Sequence, residues 1–299
     1  MQQARTQPIV ACGRHSLASG NGEALPWGGL VQEWLLDNGR RHSWVLSRRG
    51  VPIGLVSCRQ YKGPGSWEID RLQVSQGREW ASVDLLEEAN LALGRLGAER
   101  LVLRLPEDSP LHSCAMEAGF NPLIRERVYV RSPGVPSVLP ADPSGDSARP
   151  GQDSDSFQLF RLYSVSVPAS IRQMEALSLE DWQQTFGGRD LSPEGQWVLE
   201  RDGQIAAALT MAKGNGKRRL LDLLTNPKCP ADYSHLLAWA EEVEGARSTL
   251  VTLLPEYLWT DSVERSLAAR GFQAVTALTV YVKPVTARVR SVGLMPARA

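Results

Sequence analysis

Cysteine and histidine are scarce, and what little there is forms no motif. Cys12, Cys58, Cys114 and Cys229 make no C-x-x-C pair and the four histidines make no H-x-x-x-H, so neither a metal site nor a disulfide framework is expected. An excess of charge is lacking too. With 33 Lys and Arg against 33 Asp and Glu, no net cation draws the chain onto a nucleic-acid backbone, and no nucleic-acid partner is expected. Long apolar runs are also missing: no stretch approaches the ~18 residues that span a bilayer. The opening MQQARTQPIVACGRHSL carries no apolar core of the signal-peptide kind. The expectation is a cytoplasmic protein without a membrane partner.

What is present is organised twice over. Residues 132–156, SPGVPSVLPADPSGDSARPGQDSDS, are dominated by Pro, Ser, Gly and Asp, with too few large apolar residues to offset the entropy of ordering them. They read as a linker between a first unit, 1–131, and a second, 157–299, whose tail begins near 284. Landmarks recur across it in the same order, about 150 residues apart. WVLSRRGVPIGLVS at Trp44 matches WVLERDGQIAAALT at Trp197, and Leu105-Pro106-Glu107 matches Leu254-Pro255-Glu256. AMEAGFNPLIRERVYVR matches LAARGFQAVTALTVYVK, pairing Gly119-Phe120 with Gly271-Phe272 and Tyr129 with Tyr281. The chain reads as a tandem duplication.

Each repeat can be read by period. SWVLSRR, a turn at Gly50 and PIGLVSCRQ form a hairpin, and SWEIDRLQV follows as a third strand. Their counterparts are QWVLER, QIAAALTMA and RRLLDLLT. A helix comes next: Leu86, Ala89, Leu93 and Leu96 recur at steps of three and four, with Gly97 placed to cap it. The second helix carries Leu236, Ala240 and Val243. Then come a strand, a short helix ending at Gly119 or Gly271, and a last strand. Ahead of the second hairpin, FQLFRLY reads as a strand and PASIRQMEALSLEDWQQTF as a helix, with Ser178 and Asp181 as a capping box.

This order of elements, with Gly-Phe closing the short helix, resembles the Gcn5-related N-acetyltransferases (GNAT). The resemblance implies an α/β (α+β) fold of two tandem GNAT-like domains, each a mixed, mostly antiparallel sheet flanked by helices and packed on the other. It implies acetyl-CoA as coenzyme and a small-molecule or peptide amine as acceptor. In that family a Q/R-x-x-G-x-G/A loop opens the helix after the fourth strand, where unpaired N–H groups and the helix dipole hold a pyrophosphate. Here Trp80 and Ser82 stand in the two glycine places, and Ala231 and Tyr233 stand there in the second repeat. Coenzyme contacts, if carried over, fall on Val74, Gln76, Gly77, Arg78 and Ser82. Asp84, Glu87 and Glu88 crowd the same helix start. Trp80 either packs the loop shut or lies flat against a ligand.

The family's strand glutamate, six positions before the Val, corresponds to Glu68, a candidate general base. The same count gives Arg219 in the second repeat. The usual tyrosine acid is replaced by Ala115 and Leu267. Two readings follow: an acyl-CoA-dependent N-acetyltransferase with the first repeat active and an altered coenzyme loop, or a non-catalytic descendant that binds a partner.

Overall fold

The computed structural model describes residues 8–19, 41–61, 65–135, 147–175, 178–180, 182, 193–213, 218–226, 233–244 and 247–285. The first half contains β1 (Ile9–Cys12), α1 (Arg14–Ser19), β2 (Arg41–Arg48), β3 (Val51–Gln60) and β4 (Ser66–Val74). It continues with α2 (Ala81–Arg95), β5 (Arg100–Pro106), α3 (His112–Glu117) and β6 (Asn121–Arg131). The second half contains β7 (Ser147–Pro150), α4 (Ser156–Ser166), α5 (Ala169–Glu175), β8 (Pro193–Arg201), β9 (Gln204–Lys213) and β10 (Arg218–Thr225). It closes with α6 (Ser234–Glu244), β11 (Thr249–Pro255), α7 (Asp261–Ala269) and β12 (Gln273–Pro284).

The duplication is visible in backbone detail. Arg49 and Gly50 turn the β2–β3 hairpin with φ of 52° and 77°, and Asp202 and Gly203 turn β8–β9 with 51° and 71°. Two successive left-handed residues give the turn whose twist matches the strands it joins. Gly97 (φ 87°) stops α2, while Gly119 (81°) and Gly271 (75°) follow α3 and α7. Helix α2 packs on β2, β3 and β4 and buries Leu85, Leu86, Ala89 and Leu93 in a core shared with Val56, Leu72 and Val74. Each such leucine contributes roughly 1.5–3 kcal/mol on burial. The last residue of each expected stripe, Leu96 and Val243, is instead exposed, since both lie at helix ends beyond the sheet.

Among the described residues twelve strands form one sheet in the order β2-β3-β4-β5-β12-β6-β11-β10-β9-β8-β7, with β1 paired to β4 off that path. The last strands are exchanged. β12 of the second repeat lies against β5 of the first, and β6 of the first against β11 of the second. β6 and β12 pair with each other at the centre. Each repeat's sheet is therefore completed by a strand that lies in the other's sequence range.

Two expectations are corrected. The span 132–156 is not linker throughout: Ser147–Pro150 pairs with β8, and Asp153–Asp155 forms a 3-10 turn leading into α4. FQLFRLY is helical, because its buried residues Leu159, Leu162, Tyr163 and Ser166 fall at helical spacing while Phe157 points to solvent. The helix expected after Pro168 is described only as α5 and a few residues beyond; Asp181 of the capping box and the tail from 286 lie outside the described residues.

Candidate functional site

In each repeat two parallel neighbours part company. β4 and β5 pair only over Ser66–Glu68 against Arg100–Val102, and β10 and β11 only over Arg218–Leu221 against Thr249–Thr252. Crevices at the carboxyl ends of parting parallel strands are where open sheets take ligands, because backbone groups there face no neighbouring strand. The parting in β4 is accompanied by a one-residue bulge. Ser57 faces Arg71 and Cys58 faces Ile69, which leaves Asp70 extra; β10 runs against β9 without interruption. The bulge shifts the equivalences by one, so the counterpart of Glu68 is Leu220 rather than Arg219.

The two crevices differ in content. In the first, β1 runs antiparallel along β4, Ile9 opposite Val74 through Cys12 opposite Arg71. Gly13 N–H continues the ladder to the Asp70 carbonyl at 2.8 Å. In the second, Asp222, Leu223, Leu224 and Leu253, the residues just past the parting, line a cavity of about 110 Å³. That cavity is walled on its far side by the first repeat, through Tyr61, Arg104 and Glu126, and is covered by Tyr163 and Ile171 of the second.

Glu68 is 1 % exposed and accepts from Arg104 Nη1 and from the Arg14 main-chain N–H at 3.0 Å. Arg104 Nε donates to Glu126 Oε2 at 2.8 Å, and Nη2 donates to the Tyr61 hydroxyl at 3.3 Å. Two buried carboxylates thus share one guanidinium. Burial pushes the Glu68 carboxyl up from its usual range, with Arg104 pulling the other way. Burial likewise works against the charge of Arg104, but Glu126, Tyr61 and Glu68 together hold its proton more firmly than usual. The Arg14 guanidinium pairs with Asp222, so Arg14 touches both crevices.

The predicted coenzyme residues lie in one turn at the far end of β4, about 20 Å from Glu68 at ~3.3 Å per residue. Val74 is fully buried in the core beside α2. Gln76 and Gly77 are exposed, and Gly77 N–H donates to Glu79 Oε1 at 2.9 Å. The Arg78 N–H donates to the Ser75 carbonyl at 3.0 Å, and those of Ala81, Ser82 and Val83 donate to the Arg78, Glu79 and Trp80 carbonyls. Ser82 is buried, its hydroxyl donating to the Glu79 carbonyl at 2.6 Å. Trp80 is 45 % exposed, so it does not pack the loop shut. These donors serve the turn itself. In the second repeat Tyr233 is buried, and Ala231 lies outside the described residues.

Ala115 and Leu267 are core residues. The last-strand tyrosines hold polar partners from the short helices: Tyr281 with His112 Nδ1 at 2.8 Å, and Tyr129, whose hydroxyl donates to Glu264 at 3.0 Å. Sequence reasoning passed over Arg14, Tyr61, Arg104, Glu126 and Asp222. One signal was available: Arg104 stands alone inside the apolar strand RLVLRLP, and a charged residue at such a position needs a buried partner. Among the described residues no three His, Cys, Asp or Glu side chains gather as a metal site, and no helix is long and apolar enough to cross a membrane.

No protein-family model and no curated protein matches the chain. Solved structures do. A GCN5-related N-acetyltransferase from Sphaerobacter thermophilus superposes with a TM-score of 0.60 at 12% identity, covering 95% of this chain and 97% of that one. One from Kribbella flavida gives 0.55 at 16%, covering 92% and 97%. A tandem GNAT protein from the clavulanic acid biosynthesis pathway gives 0.53 at 15%, covering 86% and 87%. At such identities the likeness is one of fold, and it agrees with the repeated strand order and the paired crevices: the chain has the Gcn5-related N-acetyltransferase fold, built twice in tandem.

Proposed function

We propose that the chain is an acyl-CoA-dependent N-acyltransferase working through its second crevice, with the first repeat as a non-catalytic wall of the acceptor pocket. The observation that carries this reading is the contrast between the crevices: one is filled by a strand of the chain itself, the other opens onto a cavity. The first crevice fits a coenzyme poorly, because β1 lies along β4 and the N–H groups of Gly77, Arg78, Ala81 and Ser82 bond within the turn itself. The second fits better, with the β10 backbone past Leu221 and the Leu253 side chain beside it. Acyl-CoA, when bound, supplies an activated acyl group.

The chain's own residues then have two tasks. An amine entering as ammonium must lose a proton before it can attack, and the acidic groups at the cavity wall are Asp222, Glu126 and Glu175. Glu126 is held by Arg104, and Glu175 accepts from the Tyr163 hydroxyl. Asp222 also has an arginine partner, Arg14, but about a third of its side chain is exposed and it sits at the parting itself, so it is the proton acceptor in this reading. Tyr61, Tyr163 and Tyr257, with the valines of β12, enclose the body of the acceptor and exclude water.

Acetyl-CoA at a hundred times its dissociation constant should stabilise the chain by about 2.7 kcal/mol. Asp222→Asn should then lower kcat with little loss of stability, whereas Glu68→Gln should lower stability and spare kcat. The reverse pattern returns the base to Glu68 and the first repeat. The second reading, a non-catalytic binding protein, is favoured by Tyr233 lying buried at a glycine place of the second loop. Neither stabilisation nor heat on adding acetyl-CoA would decide for it.

A further inference from the structure

We propose that the first crevice is a strand-binding site whose resident ligand is the chain's own Ile9–Cys12, and that an extended, amide-bearing arm such as that of acyl-CoA competes with it. Only the second clause rests on the acyltransferase reading.

The argument is an internal comparison. β7 holds the place in the second repeat that β1 holds in the first, directly ahead of the first helix, and β7 pairs with β8 at the outer edge of the sheet. The matching seat for β1 is beside β2, which ends the sheet on that side among the described residues. β1 instead lies inside the crevice. Its register with β4 is continuous, and the Gly13 bond to the Asp70 carbonyl fixes the alternation, so Ile9, Ala11 and Gly13 are the positions that exchange hydrogen bonds. Adding a strand to an exposed edge is how sheets bind extended peptides: main-chain bonds supply affinity and alternate side chains supply fit. Here Ala11 is buried in the core, whereas Ile9 and Val10 are only half-buried.

The seat is shaped for its occupant. A Cβ on Gly13 would stand 2.7 Å from Glu68 Cδ and 2.9 Å from the Asp70 Cα, so only glycine lets the chain turn from β1 to α1 there. Ser16 Oγ donates to Asp70 Oδ1 at 3.1 Å, and the Arg14 main-chain N–H donates to Glu68. The polar groups at the base of the crevice are thereby satisfied by residues of the same segment. Four residues is a short strand, at the low end of the usual range, which makes it a ligand that can be displaced.

Two full-length variants test this. Val10 faces Gln73, so Val10→Cys with Gln73→Cys should close a disulfide within one chain under mild oxidation, while the buried Cys12, Cys58 and Cys114 stay unlabelled. Gly13→Ala should loosen the segment and speed amide exchange at Leu72 and Val74, whose N–H groups face β1, at least tenfold, with the β8–β9 hairpin unchanged as the internal control. In the same variant acetyl-CoA should bind at least tenfold more tightly or at one additional site per chain, and the oxidised double-cysteine variant should lose that gain when it is combined with Gly13→Ala. Failure of the disulfide to form, or unaltered exchange in Gly13→Ala, overturns the strand-binding site. Faster exchange with no gain in acetyl-CoA binding overturns the competition while leaving the seat of β1 established. Absence of acetyl-CoA binding to every form counts against the acyltransferase reading, and the disulfide and exchange readouts still decide the strand site.

Discussion

Replacing Arg104 with leucine removes a guanidinium that Glu68 and Glu126 share, in a place where its own side chain and that of Glu68 are each 2% exposed. Stripping one partner from a buried ion pair typically costs about 3–5 kcal/mol, because the remaining charge is left in a poorly polarisable surrounding. A ceiling applies. A glutamate can take up a proton instead, and doing so at pH 7 from an ordinary value near 4.3 costs about 4 kcal/mol at ~1.36 per pH unit. One neutralised carboxyl suffices, since Glu68 keeps the Arg14 N–H. The predicted loss is therefore about 3–4 kcal/mol at pH 7. Its pH dependence has a definite sign. A carboxyl whose folded pKa lies above its unfolded one favours the folded state below the unfolded value and loses that contribution as pH rises through the folded value. The deficit of Arg104→Leu relative to the parent should thus shrink as pH is lowered from 7 towards 5, by at most about 1.4 kcal/mol per pH unit. Urea unfolding of both proteins at a series of pH values measures it. A deficit below about 1 kcal/mol, or one that does not change with pH, refutes the account of Glu68, Arg104 and Glu126 as a buried, mutually dependent set.

Trp80→Ala should change stability by no more than about 0.5 kcal/mol, because the indole is largely in solvent; a loss above about 2 kcal/mol in chemical denaturation would mean it packs after all. Asp155 accepts from both terminal nitrogens of Arg149, at 2.7 and 2.9 Å, and from the Gln152 N–H at 2.8 Å. Asp155→Asn should cost about 1–3 kcal/mol at pH 7. Hydrogen bonds from Arg149 hold this carboxyl below its usual value, so its contribution is present above that value and fades as pH falls through the folded one. Parent and variant should converge in acid; a gap that persists there contradicts the assignment.

Much of this architecture is legible in the sequence where local chemistry alone decides. Arg49-Gly50 and Asp202-Gly203 force their hairpins, and Leu86, Ala89 and Leu93 with Gly97 place α2 and its C-terminal end, although Leu96 of the same stripe is exposed. Where several local patterns fit, the reading fails. FQLFRLY is short and rich in large apolar and aromatic residues, enough to pass for a strand, and only the packing of Leu159, Leu162 and Tyr163 selects the helix. The strand exchange is illegible for a different reason: RVYVR and TVYVK are near copies, so nothing in either says which edge it joins. The seat of β1 is illegible likewise, since IVAC specifies a half-buried strand and not its neighbour. At the site, counting from Val74 located Glu68, but the bulge at Asp70 displaced its counterpart from Arg219 to Leu220. Arg104 and Glu126 lie on strands that β12 separates, and only the assembled sheet brings them within reach of each other.

The exchange of last strands bears on how the chain is made. β5 leaves the ribosome long before β12, its partner across Arg100–Pro106 and Leu278–Pro284. At ~5–20 residues per second the interval is on the order of 10–40 s. Throughout it the nascent first half carries an open sheet edge of the sort that recruits stray strands. Severing the chain between the repeats should accordingly yield two pieces that are sticky apart and folded only together.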